Sequence, residues 1–196
     1  MIPCYKSTKL VIDKILAASL LVLLSPLLLL LSILVYVDQK DIFFSQKRPG
    51  LLEEPFLLLK FKTMRDGIAD DYERITVIGQ WLRKYSLDEL PQLLNVLKGE
   101  MSLIGPRPYL MEYIGLYSDE HKQRHWVMPG ITGLSQVEGG NELAWKEKLD
   151  LDVYYVQHMS FWLDLKIVLK TILLLVSGER KHHSDTQFLG YQEKTS

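Results

Sequence analysis

The 196-residue chain lacks most of the features that announce a common function. Its one cysteine, Cys4, excludes an internal disulfide, which fits a reducing compartment. Cys4 stands beside an apolar segment, where cysteines can be lipidated; we read it as an unmodified thiol. Charge is nearly balanced, 23 Lys and Arg against 24 Asp and Glu, so the basic excess of a nucleic-acid binder is missing. There is no GxxxxGK[ST] and no GxGxxG, which removes support for a P-loop or a dinucleotide fold. The histidines, at 121, 125, 158, 182 and 183, show no HExxH spacing. His121 and His125 share a helical face without an obvious third ligand, so zinc is not supported. No internal repeat occurs. The length suits one catalytic domain with a membrane element.

What is abundant is aliphatic, and it is concentrated near the N-terminus. Between Ile15 and Val37 only Ser19, Ser25, Pro26, Ser32 and Tyr36 interrupt the run, and none is charged. Such a run is long enough to cross a bilayer, and too long for a cleaved signal peptide. Two features also allow a re-entrant hairpin. Pro26 cannot donate to the Val22 carbonyl and its ring clashes there, so the helix should kink, while the Ser25 hydroxyl can bond back to a preceding carbonyl. Lys6, Lys9 and Lys14 precede the run, and Lys40, Lys47 and Arg48 follow it. A spanning helix usually has its basic flank on one side only. From proline and charge alone, the spanning and re-entrant readings both stand.

The remainder reads as an α+β, mostly helical domain. Ile42–Gln46 and Phe56–Phe61 flank Arg48-Pro49-Gly50 as a small β-hairpin. Helices are expected over Tyr72–Lys84, Leu87–Leu97, near Ser118–Trp126, and over Leu149–Val156 and Ser160–Val176. The last, with aromatics at its start and Lys166 and Lys170 among leucines, suits an amphipathic helix lying in a membrane interface; an ordinary core helix is the other reading. We divide the chain into a membrane element over 1–38, a re-entrant hairpin in one of the two readings, a catalytic domain over 39–180 that includes the candidate interfacial helices, and a polar tail over 181–196.

The densest chemical cluster is Ser86-Leu87-Asp88-Glu89-Leu90-Pro91-Gln92. Ser86 and Glu89 have capping-box spacing, which predicts a helix start at Ser86. Pro91 opens an alternative, a break near Leu90 with Pro91 beginning the next helix. Adjacent acids in a first turn can simply favour the helix dipole, or one can be a nucleophile and the other a Mg²⁺ ligand facing a phosphoryl group. Phosphate chemistry also needs cations. Lys60 and Lys62 share a strand face by the period of two, which by itself also describes a solvated face. Arg107, held between Pro106 and Pro108, presents a guanidinium fork on a stiff backbone, or is an arginine in a tight turn.

Taken in order, these segments carry a resemblance. Gln46–Gly50, Lys60–Met64, Ser86–Gly99, Met101–Pro108 and Pro129–Val137 together resemble the bacterial sugar transferases, the monotopic phosphoglycosyl transferases, over roughly Lys9 to Lys170. The short length is similar to that of the minimal, bacillosamine-phosphate-transferase-like members. The resemblance implies that a UDP-sugar donates a sugar phosphate to undecaprenyl phosphate, with Mg²⁺ as cofactor. It implies that Ser25-Pro26 breaks a re-entrant helix, that Asp88 is the nucleophile and that Glu89 is its partner for metal. Arg107 falls in a Pro-Arg-Pro loop associated with phosphates or nucleotide. Candidate substrate-binding residues are Lys60, Lys62, Arg65, Arg107 and Gln136; candidate metal ligands are Asp88 and Glu89. The implied setting is the cytoplasmic face of a bacterial inner membrane, among its lipids and with downstream glycosyltransferases as partners. One position departs: Gly140 stands where the family often has arginine, which removes any contact that arginine makes. The competing class is a membrane-anchored scaffold, which would need no acid at 88 or 89.

Overall fold

A computed structural model describes residues 2–67 and 74–177, together with Phe188 and Gly190. The onset expected at Tyr72 and most of the polar tail fall outside the described residues. Two helices open the chain, α1 (Ile2–Leu23) and α2 (Ser25–Gln39), bent by 68° at Leu24. Pro26 explains the break, since it denies Val22 its usual amide donor. Ser25 Oγ takes over that carbonyl, donating to Val22 O at 2.8 Å, as the sequence suggested. Among the described residues no single helix is long and apolar enough to cross a membrane; the bent pair passes that test only together.

The two arms bury different faces. Ala17 of α1 packs against Phe56, Leu58, Leu93, Val96 and Met101, whereas Leu31 and Val35 of α2 meet Phe61 and Leu82. Val22 and Leu23, at the elbow, stay exposed. The polar end of α1 is clamped by buried charge. Lys9 bridges Asp13 at 3.4 Å and Asp164 at 2.7 Å; Tyr5 and Tyr155 donate to the two Asp164 oxygens, and Ser102 donates to Asp13. Desolvation, with Asp164 next, pushes the Tyr5 and Tyr155 hydroxyls above the usual tyrosine range, so both remain donors.

The expected hairpin forms, with β1 (Phe43–Pro49) antiparallel to β2 (Pro55–Phe61) in the register Phe44↔Lys60 and Arg48↔Phe56. Arg48 and Pro49 belong to the strand, and the reversal lies at Leu51–Glu53, where Leu52 and Glu53 both have positive φ. The helix placed by sequence over Tyr72–Lys84 is α3 (Val77–Lys84) among the described residues. Ile75 pairs instead with Met64, and Thr76 caps the helix by accepting from Gly79 N. A β-branched residue beside a strand end finds a backbone partner there that a helix would deny it.

Leu87–Leu97 divides as the proline alternative proposed. Leu87–Glu89 is a 3₁₀ turn and α4 (Gln92–Lys98) begins after Pro91. The capping box is not formed: Ser86 sits at φ 54° with no side-chain cap, and Glu89 turns to Lys60 and Arg107. Two cations outbid one neutral N–H for a carboxylate. Downstream, β3 (Ser102–Ile104) pairs in parallel with β4 (Gly130–Thr132). The segments around Gly105 and Gly130 meet here. A Cβ on Gly130 would stand 2.1 Å from Gly105 N, and one on Gly105 2.4 Å from Met128 O, so the crossing excludes any side chain. The expected helix near Ser118–Trp126 is α5 (Asp119–Lys122) continued by a 3₁₀ turn over Gln123–Trp126. Then follow α6 (Leu134–Glu138), α7 (Trp145–His158) and α8 (Phe161–Ser177). On α8, Asp164 and Ile167 are buried while Trp162, Leu169, Leu173 and Val176 are exposed.

Candidate active site

Asp88 and Glu89 come together with Lys60 and Arg107, from three separate stretches of chain. The αL residue Ser86 turns the backbone so that both acids point inward, and both carboxylates are buried. Glu89 Oε1 lies 2.8 Å from Lys60 Nζ and 3.2 Å from an Arg107 amine. Asp88 Oδ2 is 3.8 Å from the same lysine, while Asp88 Oδ1 is buried and accepts no hydrogen bond. A buried acceptor without a donor loses its hydration with no return, and such an atom waits for a ligand or a reaction. Lys60, Glu89 and Arg107 line a cleft with Arg48, Gln92, Pro108 and Tyr109. A second, largely apolar cavity of about 220 Å³, bounded by Lys9, Asp13, Trp126 and Met128 among others, shares none of this lining.

Each wall has its own fastening. Asn95 is completely buried and acts as a side-chain rung: its Oδ1 accepts from Leu59 N at 3.1 Å and its Nδ2 donates to Leu57 O at 2.8 Å. This fixes α4, and the acids just before it, against the strand that carries Lys60. Arg107 is held from behind. Arg124, 1 % exposed, donates to the Arg107 carbonyl and to Asp152 Oδ2 at 2.7 Å, and Ser135 donates to Asp152 Oδ1. The Arg124 guanidinium stacks 4.6 Å from the Tyr109 ring and 5.5 Å from that of Tyr117. Beside it His125 is neutral. Burial, reinforced by the Arg124 charge, lowers its pKa to about 3, and its Nδ1 faces Glu53 at 3.3 Å.

The other predicted site residues lie elsewhere. Lys62, just past β2, pairs with Asp41 at 3.0 Å and Asp66 at 2.6 Å, so the shared strand face with Lys60 does not bring it to the acids. Arg65 is exposed, its backbone bonded to that of Arg74. Gln136 on α6 donates to Ile131 O at 3.3 Å, within the β3–β4 support. Sequence reasoning missed Arg48, Tyr109, Arg124, Asp152 and Asn95. Asp152 did leave a signal: it shares a helical stripe with Leu149, Val153 and Val156, where an acid is out of place unless paired. Among the described residues there is no cluster of three His, Cys, Asp or Glu side chains able to hold a metal by themselves.

The arrangement is two acids against two cations at the mouth of a cleft, with one bare carboxylate oxygen behind them. That is an environment for a phosphoryl group, whose oxygens can take over the cations. Comparison with known proteins agrees. The family model described as bacterial sugar transferase matches residues 4–178. A Bacillus subtilis protein named uncharacterized sugar transferase EpsL is 50 % identical over 144 residues, covering 70 % of this chain and 71 % of that one. The Caulobacter vibrioides UDP-glucose:undecaprenyl-phosphate glucose-1-phosphate transferase is 40 % identical, over 89 % of this chain and 72 % of its own. The Aeromonas hydrophila UDP-N-acetylgalactosamine-undecaprenyl-phosphate N-acetylgalactosaminephosphotransferase is 36 % identical over 90 % of this chain and 45 % of its own.

Proposed function

Since this chain belongs to the bacterial sugar transferase family, we propose that it moves a sugar 1-phosphate from a UDP-sugar to undecaprenyl phosphate through a covalent intermediate on Asp88. The observation that carries this reading is Asp88 Oδ1, buried and unpaired beside a Glu89–Lys60–Arg107 cluster. A scaffold that only docked other enzymes would have no use for such an atom.

The donor's diphosphate enters the cleft and draws Arg107 and Lys60 from Glu89, since phosphate oxygens compete for the same donors. Arg48, lining the same cleft, adds a third cation. An Asp88 oxygen then attacks the phosphorus that bears the sugar. The bond to the bridging oxygen breaks and UMP leaves with the electron pair, leaving the sugar phosphate on the aspartate as an acyl phosphate. Lys60 and Arg107 stabilise the charge that gathers on the phosphoryl oxygens. In the second half, an oxygen of undecaprenyl phosphate attacks the same phosphorus, and the Asp88 carboxylate is released. Two adjacent carboxylates beside phosphate oxygens are a donor set that suits Mg²⁺, and the bare Asp88 oxygen fits that use. When bound, Mg²⁺ held by Glu89 and Asp88 would supply further neutralisation of the diphosphate.

The acceptor is a lipid, and the exposed apolar surface suits delivery from a bilayer. In this reading the bent α1–α2 pair enters the cytoplasmic leaflet of the inner membrane and returns, so both its ends stay on the cytoplasmic side. Helix α3, with Val77, Trp81 and Tyr85 exposed one turn apart, and α8 lie along the interface. The domain division of 1–38, 39–180 and 181–196 follows from it.

The test is UMP release before any acceptor is added. Purified enzyme mixed with its UDP-sugar should release close to one equivalent of UMP per active site, and mass spectrometry should place the adduct on the peptide containing Asp88. Asp88→Asn keeps the shape and removes the attacking charge, so the burst should vanish. Full turnover by Asp88→Asn, or an adduct on another residue, would remove Asp88 from the role.

A further inference from the structure

We propose that Phe188 is a positioning residue for Arg107, acting through a layer of aromatic rings and Arg124; this rests on the phosphosugar transfer set out above. Phe188 lies beyond the end of α8, in the part of the chain that reads as a polar tail, yet only 3 % of it is exposed. Its ring fills a socket made by Tyr113, Tyr117 and Trp145, with centroids 5.7, 5.7 and 5.0 Å away. Gly190 stands next to Leu116, at the end of the 3₁₀ segment Met111–Leu116 that carries Tyr113.

The socket is one side of a layer whose other side is the active-site cleft. Trp145 meets Tyr109 edge-on at 4.8 Å, and Tyr109 lines the cleft beside Arg107. Tyr117 and Tyr109 both flank the Arg124 guanidinium. Arg124 in turn donates to the Arg107 carbonyl, and the Arg107 side chain reaches Glu89 at 3.2 Å. Four consecutive contacts, Phe188–Tyr117, Tyr117–Arg124, Arg124–Arg107 and Arg107–Glu89, therefore connect Phe188 to the acids. Tyr113, Tyr117 and Trp145 pack edge-on or tilted around Phe188, an arrangement that relies on each ring to hold the next. Emptying the socket frees Tyr117 and Trp145 to turn inward, and Arg124 loses the faces that set its plane. Arg107 then keeps its charge but not its direction, and direction is what a guanidinium fork adds over a lysine.

The experiment uses the full chain. Phe188→Ala should lower kcat/KM for the UDP-sugar about tenfold, the scale of a misdirected binding group, while Phe188→Leu, which refills the socket, stays within about threefold of wild type. A role confined to stability is separated by a double-mutant cycle. In an Arg107→Lys background, Phe188→Ala should add less than about twofold, because the direction it protects is already lost. Unchanged activity in Phe188→Ala, or a full tenfold loss on top of Arg107→Lys, overturns the proposal and leaves the transfer reading intact. If the wild-type protein releases no UMP, the transfer reading fails, and hydrogen exchange decides this one. Peptides spanning 109–117 should then exchange at least about tenfold faster in Phe188→Ala and return to wild type in Phe188→Leu, with the β1–β2 hairpin unaltered. Equal exchange in all three proteins overturns it.

Discussion

Replacing Arg124 by methionine should be among the most damaging changes in the molecule, although the residue touches no substrate in the mechanism above. Arg124 and Asp152 are each about 1 % exposed and bonded at 2.7 and 3.1 Å. Removing one partner of such a pair leaves an uncompensated charge in the interior, which costs about 3–5 kcal/mol. Loss of the faces of Tyr109 and Tyr117 adds roughly 1 kcal/mol or more, and Ser135 remains as the one described donor to Asp152. For a chain of this size about 4 kcal/mol corresponds to a fall in Tm on the order of 8–16 °C. The assay is thermal unfolding in detergent or lipid discs, read by far-UV circular dichroism. A pH series adds a sign. Burial already pushes the Asp152 carboxyl upward, and without Arg124 the Ser135 hydrogen bond and His121 are left to oppose it, after the larger opposing charge has gone. A carboxyl whose folded pKa is raised contributes its stability at low pH and loses it as pH rises through that pKa. The deficit of Arg124→Met should therefore shrink on acidification, and Asp152→Leu in the same chain should recover most of it at neutral pH. A Tm within about 2 °C of wild type would refute the reasoning.

Arg107→Lys keeps charge but not the fork, and should lower kcat/KM at least about tenfold; activity within threefold in a UMP-release assay would reduce Arg107 to a turn residue. His125, held neutral with a pKa of about 3, takes up a proton on unfolding, so stability is full above about pH 6.5 and declines as pH falls toward 3. At pH 5 that amounts to roughly 2 kcal/mol, which His125→Gln should abolish; equal pH slopes of Tm in the two proteins would contradict it. Pro26→Ala restores the amide that Val22 lacks and should straighten the α1–α2 elbow toward a spanning helix. With Cys4 replaced and a cysteine placed near residue 2, new labelling by an impermeant thiol reagent in intact cells would report that change, and identical labelling with and without Pro26 would count against the re-entrant reading.

The sequence was legible where structure is local. Two β-like runs gave the hairpin, though not the place of its reversal, and Ser25-Pro26 gave the elbow and its hydroxyl substitution. The acids were legible through their motif, but the reason first given for their geometry was not the one found. A capping box is a local rule, and Glu89 answered to Lys60, which is distant in sequence and 2.8 Å away in space. The same holds for what was missed. Arg124, Asp152 and Asn95 look like ordinary polar residues on helices until partners 28 to 38 positions away turn them into fasteners. Lys62 departs from the local rule in the opposite sense. Strand periodicity was sound, yet β2 ends at Phe61, and the next residue answers to Asp41 and Asp66 rather than to the pleat.

The clamp on the first helix has a consequence for how the protein is made. Lys9 and Tyr5 stand at the start of the chain, and Asp164, which both engage, lies close to its other end. Chains fold in the order in which they leave the ribosome. During most of synthesis, then, the polar end of α1 is a lysine and an aspartate four residues apart, with Asp164 still unmade. Ala17 and Asp13 can already pack on the residues around Leu93, Met101 and Ser102, but Lys9 and Tyr5 find their partner only when α8 emerges and Asp164 arrives. A chain arrested before that residue would keep α1 on its apolar seat while Lys9 and Tyr5, at the far end of the helix, lacked the carboxylate that ties them to the last helix.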